Sequence, residues 1–219
     1  MNVALLVIGD GRADYLEATC QSIARHAGWV DHALMIDDSG DRFHELHVDC
    51  NYPDYTIRHG GRRGMAGAVQ AGFDLVLSTP ATHVLWIEED MMLTRDLPVR
   101  QATHTLDANP ALAQMCFRRE PWWGSPDEQR EHDQLAAICS LAPNWYTKDT
   151  YTVHDYIFSL NPCVIPRRIL EHGWDSDNEA GMTAKLLTLG YLFGSWGTPD
   201  VHQSWAQHIG DARSVGWRL

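Results

Sequence analysis

The sequence predicts an α/β protein with a mostly parallel central sheet flanked by helices. Short apolar runs alternate along the chain with longer stretches of helical periodicity. A strand–helix–strand unit is already legible between Val3 and Ile36. Two of the apolar runs also end in acid clusters, Asp37-Asp38-Ser39-Gly40 and Glu88-Glu89-Asp90. The C-terminal edge of the strands is where open α/β sheets bind ligands.

Val3-Ala-Leu-Leu-Val-Ile8 is continuously apolar, as a strand covered on both faces must be. Leu16, Cys20, Ile23 and Ala27 recur at helical spacing, so Ala13 to Ala27 reads as an amphipathic helix stopped by Gly28. Ala33 to Ile36 is the second strand and Tyr55 to Arg58 a short third. After the loop His59 to Gly64, residues Met65, Val69, Phe73, Val76 and Leu77 mark one helix face, with Pro80 just past the end. His83 to Ile87 is another buried strand. Thr94 to Asp107 reads as a helix and Leu112 to Phe117 as a strand. Arg119 to Lys148 reads as a long loop with one helix around Gln129 to Ile138. Loops of that length in compact domains are often binding elements. Apolar character resumes over Ile157 to Ile165. A short helix follows at Arg167 to Gly173, a longer one at Asn178 to Leu189, and a final strand at Tyr191 to Trp196.

The 219 residues suit one domain, and 44% hydrophobic content supports a sizeable core. A net charge of -12 argues against a protein that grips nucleic acid through phosphates, although Arg58 to Arg63 is locally basic. Five cysteines without a CxxC pair read as reduced, buried thiols. The apolar segment at Val3 is too short to span a membrane or serve as a signal, and no later run is longer. A cytoplasmic protein with an intact N-terminus is expected.

Three consecutive acids at a strand end repel one another and favour a bound cation such as Mg²⁺ or Mn²⁺; a solvated acidic turn is the alternative. Asp37 and Asp38 can accept hydrogen bonds from a ribose or base, or can serve local turn bonds. Gly9-Asp-Gly11-Arg12-Ala-Asp14 partly imitates a dinucleotide fingerprint, but Asp14 stands where the third glycine belongs.

Taken in order, these segments resemble the GT-A glycosyltransferases, especially the large inverting family 2, over residues 3 to about 214. Arg12-Ala-Asp-Tyr-Leu16 is similar to that family's "NRPEYL" helix start. Ile36-Asp37-Asp38-Ser39 resembles its nucleoside-contacting "VDDGS", and Gly64 to Gly72 its "GxAxARNxG" helix. Glu88-Glu89-Asp90-Met91 is similar to the DxD-type metal motif. It is nearest in form to the "EDDL" of N-acetylglucosaminyltransferase I, whose last acid ligates Mn²⁺. Asn178-Glu179, eleven residues before Gly190-Tyr191, sits where the family has "ED…GY". His208 to Ser214 resembles "HxGxxS". Three departures stand out: Asn178 for the first acid of "ED", His59 for an asparagine, and Glu-Glu-Asp for Asp-x-Asp.

The resemblance implies a GT-A fold in a single domain, with a nucleotide-binding half over about 1–100 and an acceptor-side half over about 101–219. It implies transfer of a sugar from a nucleoside-diphosphate sugar, UDP foremost, to an acceptor hydroxyl of a glycan, protein, lipid, small molecule or modified nucleic acid. Asp90 would hold Mn²⁺ or Mg²⁺, with His208 as a further ligand and His202 as its rival. Gly9, Arg12, Asp37, Asp38, Arg63 and Glu89 would meet the nucleotide. Glu179 would be the base that makes the reaction inverting, with Asp177 or Asp175 as substitutes. Trp122 and Trp123 would form an acceptor contact or lid. A sugar-1-phosphate nucleotidyltransferase is one competing reading, but the Gly-rich loop with a Pro-Lys pair that it needs is missing. A non-catalytic carbohydrate binder is another, and it has no use for the acid triplet.

Overall fold

In a computed structural model, residues 2–120, 134–201 and 203–210 are described. The chain begins β1 (Val3–Gly9), α1 (Ala13–His26), β2 (His32–Asp37), α2 (Arg42–Asn51), β3 (Thr56–His59), α3 (Gly64–Leu77) and β4 (His83–Glu88). It continues β5 (Met91–Leu93), α4 (Val99–Ala108), β6 (Leu112–Phe117), β7 (Arg119–Glu120), α5 (Gln134–Leu141), β8 (Trp145–Lys148) and β9 (Tyr151–His154). The last elements are β10 (Cys163–Pro166), α6 (Arg167–Leu170), α7 (Glu179–Thr188), β11 (Leu192–Trp196) and β12 (Ala206–His208).

Among the described residues, nine strands form one sheet in the order β3-β2-β1-β4-β10-β6-β11-β9-β8. β1, β2, β3 and β4 are mutually parallel where they pair, β10 runs antiparallel between β4 and β6, and β11 returns parallel to β6. The chain moves outward from β1 to β3 and then crosses to β4 on the other side of β1. That reversal opens a crevice beyond the strand ends. A second sheet of β5-β12-β7 lies at this end.

The pleat divides the core in two. Ala4, Leu6, Ile8, Val84 and Trp86 pack on the face covered by α3, α6 and α7, whereas Val3, Leu5, Val7, Leu85 and Ile87 pack on the face covered by α1 and α4. Both faces are covered, which is why the strands read as unbroken apolar runs.

Several elements differ from the sequence expectation. α2 is mostly exposed, burying only Val48, so it carries little apolar period; its signal is Asp41, whose side chain accepts from the Phe43 and His44 amides at 2.8 and 3.3 Å. The helix expected from Thr94 begins only at Val99, because Met91–Leu93 is drawn into the second sheet by Ala206–His208. The end of the expected loop is a strand, β8, which pairs with β9 in a hairpin and is exposed along its whole length. The apolar stretch from Ile157 is strand only over Cys163–Pro166, and the Arg167 helix is one turn. All five cysteines are free; Cys116, Cys139 and Cys163 are buried, Cys20 is partly so, and Cys50 is exposed. Among the described residues no helix is long and apolar enough to cross a membrane.

Candidate active site

The ends of β1 to β4 form one edge, with Gly9 opposite Asp37, Asp37 opposite His59, and Ile8 opposite Glu88. Alternation along β4 continues past its end. Glu88 follows Trp86 toward the α7 face, and Glu89 turns toward α1, where its carbonyl accepts from Thr19 Oγ1 at 2.6 Å.

Arg12, at the N-cap of α1, gathers three acids. Its Nε donates to Asp10 Oδ1 at 3.1 Å and to Glu89 Oε1 at 2.7 Å, and its Nη2 donates to Asp90 Oδ2 at 3.0 Å. Gly9 leaves room for this: a Cβ there would lie 2.7 Å from Glu89 Oε2. Burial pushes Glu89 up to about 9, helped by its hydrogen bond to Asp10 and opposed by Arg12. Burial also acts to raise Asp90, but His208 and Arg12 outweigh it and hold that carboxyl below its usual range.

His208 Nε2 lies 3.3 Å from Asp90 Oδ2. β12 carries it there by pairing with β5, and Ile209 N–H donates to the Asp90 carbonyl at 2.9 Å. Gly210 follows because a Cβ would stand 2.5 Å from Asp90 Oδ2. The other oxygen, Asp90 Oδ1, is buried with no hydrogen-bond partner among the described residues. An ionised carboxylate with an unpartnered buried oxygen beside an imidazole suits a divalent cation. No group of three or more His, Cys, Asp or Glu among the described residues could hold a metal. These residues therefore offer such a cation this pair of ligands, and its remaining ligands would come from elsewhere.

The acids after β2 are engaged by the protein itself. Asp38 accepts from the Arg63 and Gly64 amides, each at 2.8 Å, and so binds the N-terminus of α3. Arg63 Nε donates to the Gly60 carbonyl at 2.8 Å, and Arg58 Nη1 to that of Ala71 at 3.3 Å, so the basic stretch is tied down locally. Asp37 accepts from the Ser39 amide at 3.1 Å, while its Oδ2 lies 2.9 Å from His59 Nδ1. The other ring nitrogen of His59 lies 3.2 Å from Asp49. Burial disfavours the imidazolium, but the bonds to Asp37 and Asp49 prevail and raise His59.

Glu179 opens α7 behind the N-cap Asn178. Its Oε1 accepts the Leu160 amide at 2.6 Å and lies 3.4 Å from Ser159 Oγ. Glu88 shares this region: burial, then the charges of Asp90 and Glu179, push it up to about 8, against Arg119 and Arg12. Asp177 is exposed, and Asp175 pairs with Lys185 at 2.9 Å. Trp122, Trp123 and His202 lie outside the described residues. Arg119, Ser159 and Asn161 joined no motif in the sequence, and Asp10 was given no role within the Gly9-to-Asp14 near-match. Asp10 was legible only as a neighbour of Arg12, and the others come from segments without periodicity.

Solved structures of similar architecture supply the comparison. A mannosyltransferase from Pyrobaculum calidifontis, in complex with GDP-Man and Mn²⁺, matches 95% of this chain and 56% of its own at 16% identity and a TM-score of 0.64. The fold is GT-A. GalNAc-T7 with UDP, GalNAc and Mn²⁺ is matched over 100% of this chain and 45% of its own, at 12% identity and a TM-score of 0.63. S. aureus TarS 1-349 with UDP is matched over 94% and 60%, at 10% identity and a TM-score of 0.57. The chain thus spans roughly half of each of these proteins. No protein-family model and no curated protein sequence matches it.

Proposed function

We propose that the chain is a metal-dependent glycosyltransferase that moves a sugar from a nucleoside-diphosphate sugar to an acceptor hydroxyl. One observation carries this reading. At the ligand-binding edge of a GT-A sheet, Asp90 is held ionised with a buried oxygen that has no partner among the described residues, and His208 stands beside it. The GT-A neighbours crystallised with nucleotides and Mn²⁺ support the fold-level part of the inference.

Asp90 and His208 would hold the cation, which neutralises charge on the departing diphosphate when bound. The imidazole favours Mn²⁺ over the harder Mg²⁺. Arg12, fixed by Asp10 and Glu89, sits where a guanidinium can add charge-assisted bonds to the diphosphate. Gly9 admits Glu89, and Asp37 with His59 faces the nucleoside, for which uridine is the preferred reading. Asp38 and Arg63 act by shaping the loop into α3. Glu179 takes the acceptor proton as the sugar carbon is attacked from the opposite side, giving inversion. Asp177 is the reserve candidate. Residues 1–100 would form the donor half and 101–219 the acceptor half, with Trp122 and Trp123 on the acceptor side.

The test is release of UDP or GDP from a panel of nucleotide-sugars, with and without Mn²⁺, together with thermal-shift titrations. A donor that binds raises the melting temperature by mass action, and only when Mn²⁺ is present. Nucleotide binding that ignores Mn²⁺ would overturn the metal assignment, and no nucleotide binding at all would overturn the function.

A further inference from the structure

A chain of buried polar groups leads to Glu179 from a part of the molecule that no motif connects to it. It begins at Arg119 on β7, whose Nε donates to Asn161 Oδ1. Asn161 Nδ2 donates to Ser159 Oγ at 2.6 Å. These two bonds fix the amide's orientation, because a guanidinium offers no acceptor. The Asn161 backbone amide also points at Ser159 Oγ, at 3.4 Å. With both lone pairs of that oxygen taken, the hydroxyl must donate its own hydrogen. Glu179 Oε1, 3.4 Å away, is in line for it. The loop is pinned from behind as well, since Gln114 Oε1 accepts the Ser159 amide at 3.2 Å and Gln134 Oε1 accepts the Arg119 amide at 2.8 Å. Gln114, Ser159, Asn161 and Gln134 are all buried.

We propose that Arg119, Asn161 and Ser159 are positioning residues that act in series to hold Glu179 anionic and to fix its Oε1, alongside the Leu160 amide. Every donor in the series points toward the carboxylate. Hydrogen bonds to the charged form favour that form, and a fixed first oxygen sets the direction of the carboxylate's second edge. The inference rests on Glu179 being the base. Among the described residues, Glu179 also faces the Arg119 guanidinium, the Glu88 carboxyl on β4, and the Cys116 and Cys163 thiols on β6 and β10. Burial raises both thiols, so they stay neutral and add no charge of their own.

The experiment follows Glu179 directly, by carboxyl ¹³C NMR of the full chain labelled at glutamate, with Mg²⁺ and UDP as diamagnetic probes. The resonance missing from Glu179→Gln identifies the group. Ser159→Ala and Asn161→Ala should each raise its titration midpoint by about one unit. Ser159→Thr, which keeps the hydroxyl, should restore it. A midpoint unmoved in folded Ser159→Ala overturns the proposal, as does Asn161→Ala that loses thermal stability without moving the midpoint. The function itself is read separately. If Glu179→Gln releases UDP from UDP-sugars as fast as the unmodified chain, Glu179 is not the base, whatever the titration shows.

Discussion

Arginine meets carboxylates on both sides of the end of β4, in two different ways. On the α1 side, Arg12 touches Asp10, Glu89 and Asp90 directly, at 2.7 to 3.1 Å. On the α7 side, Arg119 faces Glu179 and is also joined to it through Asn161 and Ser159, and the Leu160 amide donates to the carboxylate at 2.6 Å. The first cluster leaves Asp90 ionised with one buried oxygen unpartnered among the described residues, an arrangement suited to a cation. The second adds neutral donors, the Leu160 amide and the Ser159 hydroxyl, to the facing guanidinium, which suits a group that must take up and give back a proton. The difference arises from the pleat. Consecutive residues Glu88 and Glu89 leave one strand on opposite faces, so one motif serves both clusters.

The sharpest break in the comparison is Glu179→Gln. Turnover should fall roughly 10²–10⁴-fold while donor affinity holds, since the amide keeps the shape and loses the base. Assays of UDP release beside calorimetric UDP titration separate the two quantities. Turnover within a few-fold of the unmodified chain would move the base to Asp177.

Asp90→Asn should do the reverse, weakening Mn²⁺-dependent UDP binding by more than about 100-fold, because a ligand is lost rather than an outer-shell partner. Unchanged affinity in a folded variant would remove the cation from the Arg12 cluster. His208→Ala should weaken the same binding by less than Asp90→Asn, because the ligand lost is neutral rather than anionic, and His202→Ala should leave it unchanged. The opposite pattern would transfer the role to His202.

The smallest effect concerns protons without metal. Burial and Asp10 raise Glu89 to about 9 in the folded chain, whereas an unfolded glutamate titrates near 4.5. Between those values the folded state binds more protons than the unfolded one, so this group makes stability fall as pH rises through that window. Glu89→Gln removes this dependence. Relative to the unmodified chain, its melting temperature should rise steadily on going from pH 5 to pH 8. Parallel melting curves across that range would show that Arg12 keeps Glu89 ionised.

The sequence by itself determined the strand–helix alternation, both acid clusters and the ends of the strands that carry them. Unbroken apolar runs imply cover on both faces, and a charge can end such a run only at an edge. Asp90 stood out as a strand-end acid, whereas Glu179 and His208 were named only through the resemblance to GT-A motifs. Tertiary structure alone decided the rest. Asp38 proved to be tied to the start of α3, which its turn-like setting could not reveal, because the amides it accepts belong to Arg63 and Gly64. α2 and β8 bury too little to leave a pattern. β5, β7 and β12 are two or three residues long, too short for any period, and form only because they pair with one another. The Arg119–Asn161–Ser159 series joins residues 42 positions apart across elements with no shared periodicity. Hydrogen bonds of that reach depend on where the chain has folded, and a local pattern of residues carries no record of them.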